Sequence, residues 1–178
     1  MDQEIRSYCR SKGFHLHTEA RWLGYNEADR SALLEMIREV RPGENHFKDL
    51  LDWLDEIALR DGTPIATLLQ KELSGVVTDP RLGRNDKLKR LKEELRRLRF
   101  PRLAGIEDEI HRRIRNLKLP RGISINVPPG LEGGGVGVKI EATSQEHLRR
   151  LAADASRAID SDEMKQIFTM LDSGTAGT

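Results

Sequence analysis

The sequence has one cysteine, Cys9, in 178 residues. That excludes an intramolecular disulfide and leaves no Cys-x2-Cys pair to start a zinc site. His15 and His17 lie near Cys9, but a fourth ligand and the tight ligand spacing are missing. No metal and no cofactor is expected. Aromatic residues make up only 4% of the chain, so its cores must be aliphatic, built mainly from Leu and Ile. No apolar run approaches the ~20 residues of a membrane span. The opening MDQEIRSYCR lacks the basic start and apolar run of a signal peptide. The expectation is a soluble cytoplasmic protein that makes no use of a membrane.

Catalytic signatures are also missing. Cys9 with a histidine could be drawn as nucleophile and base, but nothing in the spacing orients the pair. A lone cysteine is more often a small buried hydrophobe. His46 falls near a helix start, and His111 and His147 fall on helices among charges. The carboxylates show no pairing that separates them from ordinary surface charge. These features lead to the expectation of a non-enzymatic protein.

Charge is plentiful, and its distribution is uneven. Charged residues are 33% of the chain and the net charge is +1. Residues 1–80 carry 10 Lys/Arg and 15 Asp/Glu. Residues 81–121 carry 15 and 6, and residues 122–178 carry 5 and 8. A basic centre between acidic ends is a pattern that polyanion-binding segments use.

Periodicity predicts a mostly helical chain of class α+β. An N-terminal helix ending at Gly13 fits DQEIRSYCRSKG. Leu33, Leu34, Ile37 and Val40 form a stripe that Pro42 and Gly43 stop. Phe47, Leu50, Leu51, Leu54, Ile57 and Ala58 form another, with Asn45 as candidate N-cap and Gly62 as stop. Thr63 and Pro64 then open a helix carrying Ile65, Leu68 and Leu69. In DKLKRLKEELRRLRFPRL the leucines 88, 91, 95 and 98 line one face, and Pro101 breaks or kinks the run. Ile106, Ile110, Ile114 and Leu117 follow on a second helix, with Glu107, Asp108 and Glu109 in its first turn.

The period then changes to two. Ile123, Ile125 and Val127 alternate with polar residues, as do Val136, Val138, Ile140 and Ala142. Between them lies PPGLEGGG, which fits a hairpin loop. A phosphate-binding loop would open a helix and carry Gly-Lys-Ser/Thr, and this one runs into a strand without it. Thr143 with Glu146 predicts a capping box for a helix whose inward face is Leu148, Leu151, Ala152, Ala155 and Ile159. A final short helix turns Met164, Ile167, Phe168 and Leu171 inward, and the tail 173–178 reads as flexible.

The expected organisation is a helical domain over 1–80, a basic helix and connector over 81–101, and an α-β-β-α-α domain over 102–172. A lone two-stranded hairpin is marginal in water and leaves its edges open. The last domain is therefore expected to form a homodimer.

Two elements suggest nucleic acid. On a helical wheel Lys89, Arg90, Arg96 and Arg97 lie opposite the leucine stripe, and Lys87, Lys92, Arg99 and Arg102 flank it. Such a surface can neutralise several phosphates. The same charges also suit a solvated helix with Lys89–Glu93, Arg90–Glu94 and Glu93–Arg97 pairs. They equally suit docking on an acidic partner or on the acidic N-terminal half. Packing against an anionic membrane is disfavoured because the apolar face has no Trp. Separately, Ala58, Gly62 and Leu69 have helix-turn-helix spacing, but Glu72 stands where an apolar residue belongs. The sequence therefore points first to a nucleic-acid-associated protein, DNA in particular, that contacts phosphates through the basic helix. The alternative is a protein–protein adaptor whose basic surface docks an acidic partner. A small enzyme whose site assembles only in the fold ranks third.

Overall fold

The computed structural model of the chain describes residues 1–131 and 133–175. It is α+β and mostly α, with one antiparallel hairpin among many helices. It divides into two compact units, Met1–Phe100 and Pro101–Thr178.

The first unit opens with α1 (Asp2–Lys12), α2 (Leu16–Leu23), α3 (Glu27–Val40) and α4 (Glu44–Asp61). Gly13 ends α1 in the left-handed conformation at φ 68°. Leu33, Ile37, Phe47, Leu50 and Leu54 are buried together, as the helical spacing predicts, and Trp22 joins them. The Trp22 and Phe47 rings meet edge-on with centroids 5.0 Å apart. Asn45 was the candidate cap for α4, but Gly43 occupies that position. The carboxylate of Glu44 instead turns back to α2 and accepts hydrogen bonds from His15 N at 2.9 Å and Thr18 Oγ1 at 2.5 Å.

After Gly62 come a short α5 (Ile65–Thr67), a π-helical turn over Leu68–Glu72 and α6 (Ser74–Val77). The buried carboxylate of Asp29 fixes where α5 begins. It accepts from Ala66 N at 2.6 Å and from Asn26 Nδ2 at 2.6 Å. A helix start has orphan N–H groups, and an internal carboxylate satisfies one of them here. The basic helix is α7 (Arg84–Arg99), with Gly83 at its N-cap. Leu91 and Leu95 are fully buried in the same core as the N-terminal helices. Phe100 leaves helical geometry at φ −122°, ψ 64°, so Pro101 separates two helices instead of kinking one.

The second unit is α8 (Pro101–Asn116), β1 (Ile123–Asn126), β2 (Gly137–Ile140), α9 (Gln145–Ile159) and α10 (Asp162–Thr175). Pro101 begins α8 itself, so Glu107, Asp108 and Glu109 lie beyond its first turn. The strands pair antiparallel, Ile123 with Ile140 and Ile125 with Val138. Those four side chains therefore share one face of the hairpin. Leu151 and Ala155 of α9 pack with Ile123 and Ile140, while Ile110, Met164, Ile167 and Leu171 pack with Ile125.

Three local expectations change. Ser144, not Thr143, caps α9, accepting from His147 N at 3.1 Å. Only Leu151 and Ala155 of the expected inward face are buried, whereas Leu148 is 46% and Ile159 50% exposed. Phe168 of α10 also faces solvent. α10 extends to Thr175, and of the tail expected over 173–178, residues 176–178 lie outside the described residues, as does Glu132 in the hairpin loop.

Candidate nucleic-acid interface

The eight cations singled out in the sequence divide by environment. Seven lie in the first unit, on α7, and Arg102 lies on α8 in the second. Each is described within its own unit.

Lys87, Lys92, Arg96 and Arg99 are engaged by carboxylates. The ammonium of Lys87, its side chain only 8% exposed, meets Glu39 Oε2 at 2.7 Å. This pair holds the Glu39 carboxyl below its ordinary range. Lys92 donates to Asp49 Oδ2 at 2.8 Å and lies 5.5 Å over the Trp53 ring. Arg99 donates to Glu56 Oε2 at 2.8 Å and lies 5.3 Å over the same ring. Arg96 pairs with Glu93 at 2.8 Å, one residue closer along the helix than the i,i+4 pairing expected for Glu93. Arg97 is half-buried and adds positive charge beside Glu93.

The reason lies on α4. Asp49, Trp53, Glu56 and Arg60 recur at spacings of four, three and four, which sets them along one face of a helix. Arg60 completes the row by donating to the carbonyls of Leu98 at 2.8 Å and Arg99 at 2.6 Å. Those carbonyls are among the orphans of the α7 C-terminus. The acidic N-terminal half is thus itself the acidic surface on which much of α7 docks.

Lys89 and Arg90 remain exposed, and among the described residues neither forms an ion pair. They line an open groove with Leu82, Asp86 and Glu93. Arg102 is likewise exposed at the start of α8. Further unpaired cations stand in the second unit. Residues 111–121 carry five Lys/Arg and no Asp/Glu. Two of these five are neutralised. Arg112 pairs with Glu109, and Arg113 bridges Glu109 and Glu163. Arg115, Lys118 and Arg121 face solvent and form no ion pair among the described residues. The acid-free run in the sequence was the available signal.

The competing sites do not assemble. After the Gly62 turn the would-be recognition helix has three α-helical residues and then a π turn. Thr67, Gln70 and Lys71 therefore lack the regular face that groove reading uses. In the glycine-rich loop, Gly130 N already donates to the buried Glu107 carboxylate at 2.9 Å. An internal anion sits where a phosphate loop would leave its N–H groups free. Cys9 is fully buried, and that burial first, then Glu19 and Glu44, pushes its thiol up to about 11. It is protonated at neutral pH and unsuited to nucleophilic attack.

Among the described residues no three His, Cys, Asp or Glu side chains cluster as a metal site requires. No helix among them is long and apolar enough to cross a membrane. Searches for similar proteins found no match to any family model, curated protein or solved structure.

Proposed function

We propose that this chain is a non-enzymatic nucleic-acid-associated protein whose phosphate contacts come from the cations its fold leaves unpaired. These are Arg84, Lys89 and Arg90 in the first unit, and Arg102, Arg115, Lys118 and Arg121 in the second. One observation carries the reading. Outside the ion pairs of 81–121, the cations that face solvent stand at these seven positions. Contacts of this kind position a protein on a backbone and read no sequence. DNA is the first expectation among polyanions, and self-association of the second unit would double the number of contacts.

Fluorescence anisotropy with labelled duplex DNA, single-stranded DNA and RNA at several salt concentrations tests this. Each phosphate contact contributes about 0.9 to the slope of log affinity against log salt on duplex DNA. K89A/R90A should make that slope shallower by about 2, and R115A/K118A/R121A by about 3. Absence of binding at low salt refutes the proposal. A second reading, a protein-assembly subunit, rests on a different observation, the exposed apolar residues Leu148 and Ile159 of α9.

A further inference from the structure

The fold uses only part of the apolar stripe of α9. Leu151 and Ala155 face the hairpin, while Leu148 and Ile159 remain 46% and 50% exposed on the adjoining strip. On the hairpin face that α9 partly covers, Val138 is still 41% exposed. We infer that α9 packs antiparallel against α9 of a second copy, about a two-fold axis near the middle of the helix. This does not depend on the nucleic-acid reading.

Self-complementarity identifies the occupant. Leu148 and Ile159 are eleven residues apart, about three helical turns, so they share one strip. Arg149 and Asp160 have the same separation, carry opposite charge and lie together on one flank of that strip. Both are exposed, and among the described residues neither forms an ion pair. Ala153, four positions after Arg149, offers it no partner, and Glu146, three positions before it, forms no ion pair with it among the described residues. A two-fold rotation about the helix middle sets Leu148 opposite Ile159 of the second copy. It also sets Arg149 opposite Asp160 of the second copy, and both contacts occur twice, as an isologous interface requires. Parallel packing would instead set the two charged flanks on opposite sides of the seam and leave both charges without a partner. Between the two large residues the strip carries Ala152 and Ser156, small enough for two helices to approach at the short end of the usual 8–10 Å. A membrane-surface helix would show a predominantly basic polar face, and this flank is mixed.

Sedimentation equilibrium of the full chain across low to high micromolar concentrations tests the inference. The expected mass is twice that of the chain. R149E alone and D160R alone each oppose like charges twice and should raise the dimer Kd at least about tenfold. The double variant R149E/D160R should restore it, and so should an equimolar mixture of the two single-variant chains. L148D should give a monomer whose circular dichroism matches the wild type, since Leu148 is not part of the core. A wild-type monomer at high micromolar concentration overturns the inference. So does a dimer indifferent to L148D, or a double variant no tighter than the single ones. Recovery in the charge swap cannot come from misfolding, so it separates this interface from a merely structural effect.

Discussion

Replacing Gly122 by Ala should unfold the second unit early and leave the first untouched. Gly122 sits at φ +100°, just before β1, in a region that L side chains rarely adopt. A β-carbon there would lie 2.6 Å from the Glu141 carbonyl oxygen and 2.9 Å from Leu151 Cδ1. Neither neighbour can give way freely. The Gly122 carbonyl accepts from Glu141 N at 2.7 Å, so moving Glu141 breaks the bond that continues the hairpin register. Leu151 is the buried contact of α9 with Ile123. The conformational penalty is about 1–2 kcal/mol and the overpacking about 1–3 kcal/mol. Their sum, about 3 kcal/mol, corresponds to a Tm roughly 12–24 °C lower for a unit of this size. The chain has its own probe for separating the units. Both tryptophans, Trp22 and Trp53, belong to the first unit, whereas both units contribute helix to far-ultraviolet circular dichroism. In G122A part of the dichroism should melt early while the tryptophan transition stays in place. An unchanged dichroism curve would refute the steric argument. An equal shift in tryptophan fluorescence would refute the separateness of the two cores.

Three more perturbations probe the polar interior. The hydrogen bond from Thr18, followed by those from His15, lowers the Glu44 carboxyl from its ordinary 4.5 to about 2. A lowered pKa stabilises the folded state above 4.5, and that contribution fades as pH falls toward about 2. E44Q should therefore lose stability at neutral pH and flatten the stability–pH curve between those values; an unchanged acid limb in urea titrations would refute this. K87M should lower the urea midpoint, because it leaves the Glu39 carboxylate without its ammonium, and leave the salt slope of nucleic-acid binding unaltered. A shallower slope would return Lys87 to the phosphate-contacting set. E107A strands the Gly130 N–H at a cost of about 1–3 kcal/mol, which should appear as faster amide exchange at Gly130. Unchanged protection there would mean that the carboxylate does not hold the turn.

Most of the architecture was legible because it follows from period. The stripes at Leu33–Val40 and Phe47–Ile57 and the alternation at Ile123–Val127 depend on local spacing, and each appears as a helix or strand at that place. Caps were less legible. Any of several nearby polar residues can end a helix, and the choice depends on distant geometry. Glu44 illustrates this, because it caps neither its own helix nor a near neighbour but reaches α2, with Thr18 twenty-six positions away. The π turn at Leu68–Glu72 had no signal at all in apolar spacing. The basic site was legible as a charge excess but not as a surface. Its decisive partners, Glu39, Asp49 and Glu56, lie forty-three to forty-eight residues before the cations they neutralise.

That long-range pairing changes how charge and hydrophobicity should be read together. A cation counts toward an interface only after the fold's own carboxylates have been served, and α4 serves Lys92 and Arg99 with a single row of residues. An apolar side chain counts toward a core only after the neighbouring faces have been filled. On α7 the requirement nearly consumes the supply, since Leu91 and Leu95 are buried and most flanking charges are matched. On α9 it does not. A stripe of five apolar positions meets a hairpin that covers two, and the remainder includes two large residues at full helical repeat with opposite charges beside them. A stripe wider than its own fold can bury, with a flank complementary to itself, is the pattern expected of a helix that finishes its packing on a second copy of the same chain.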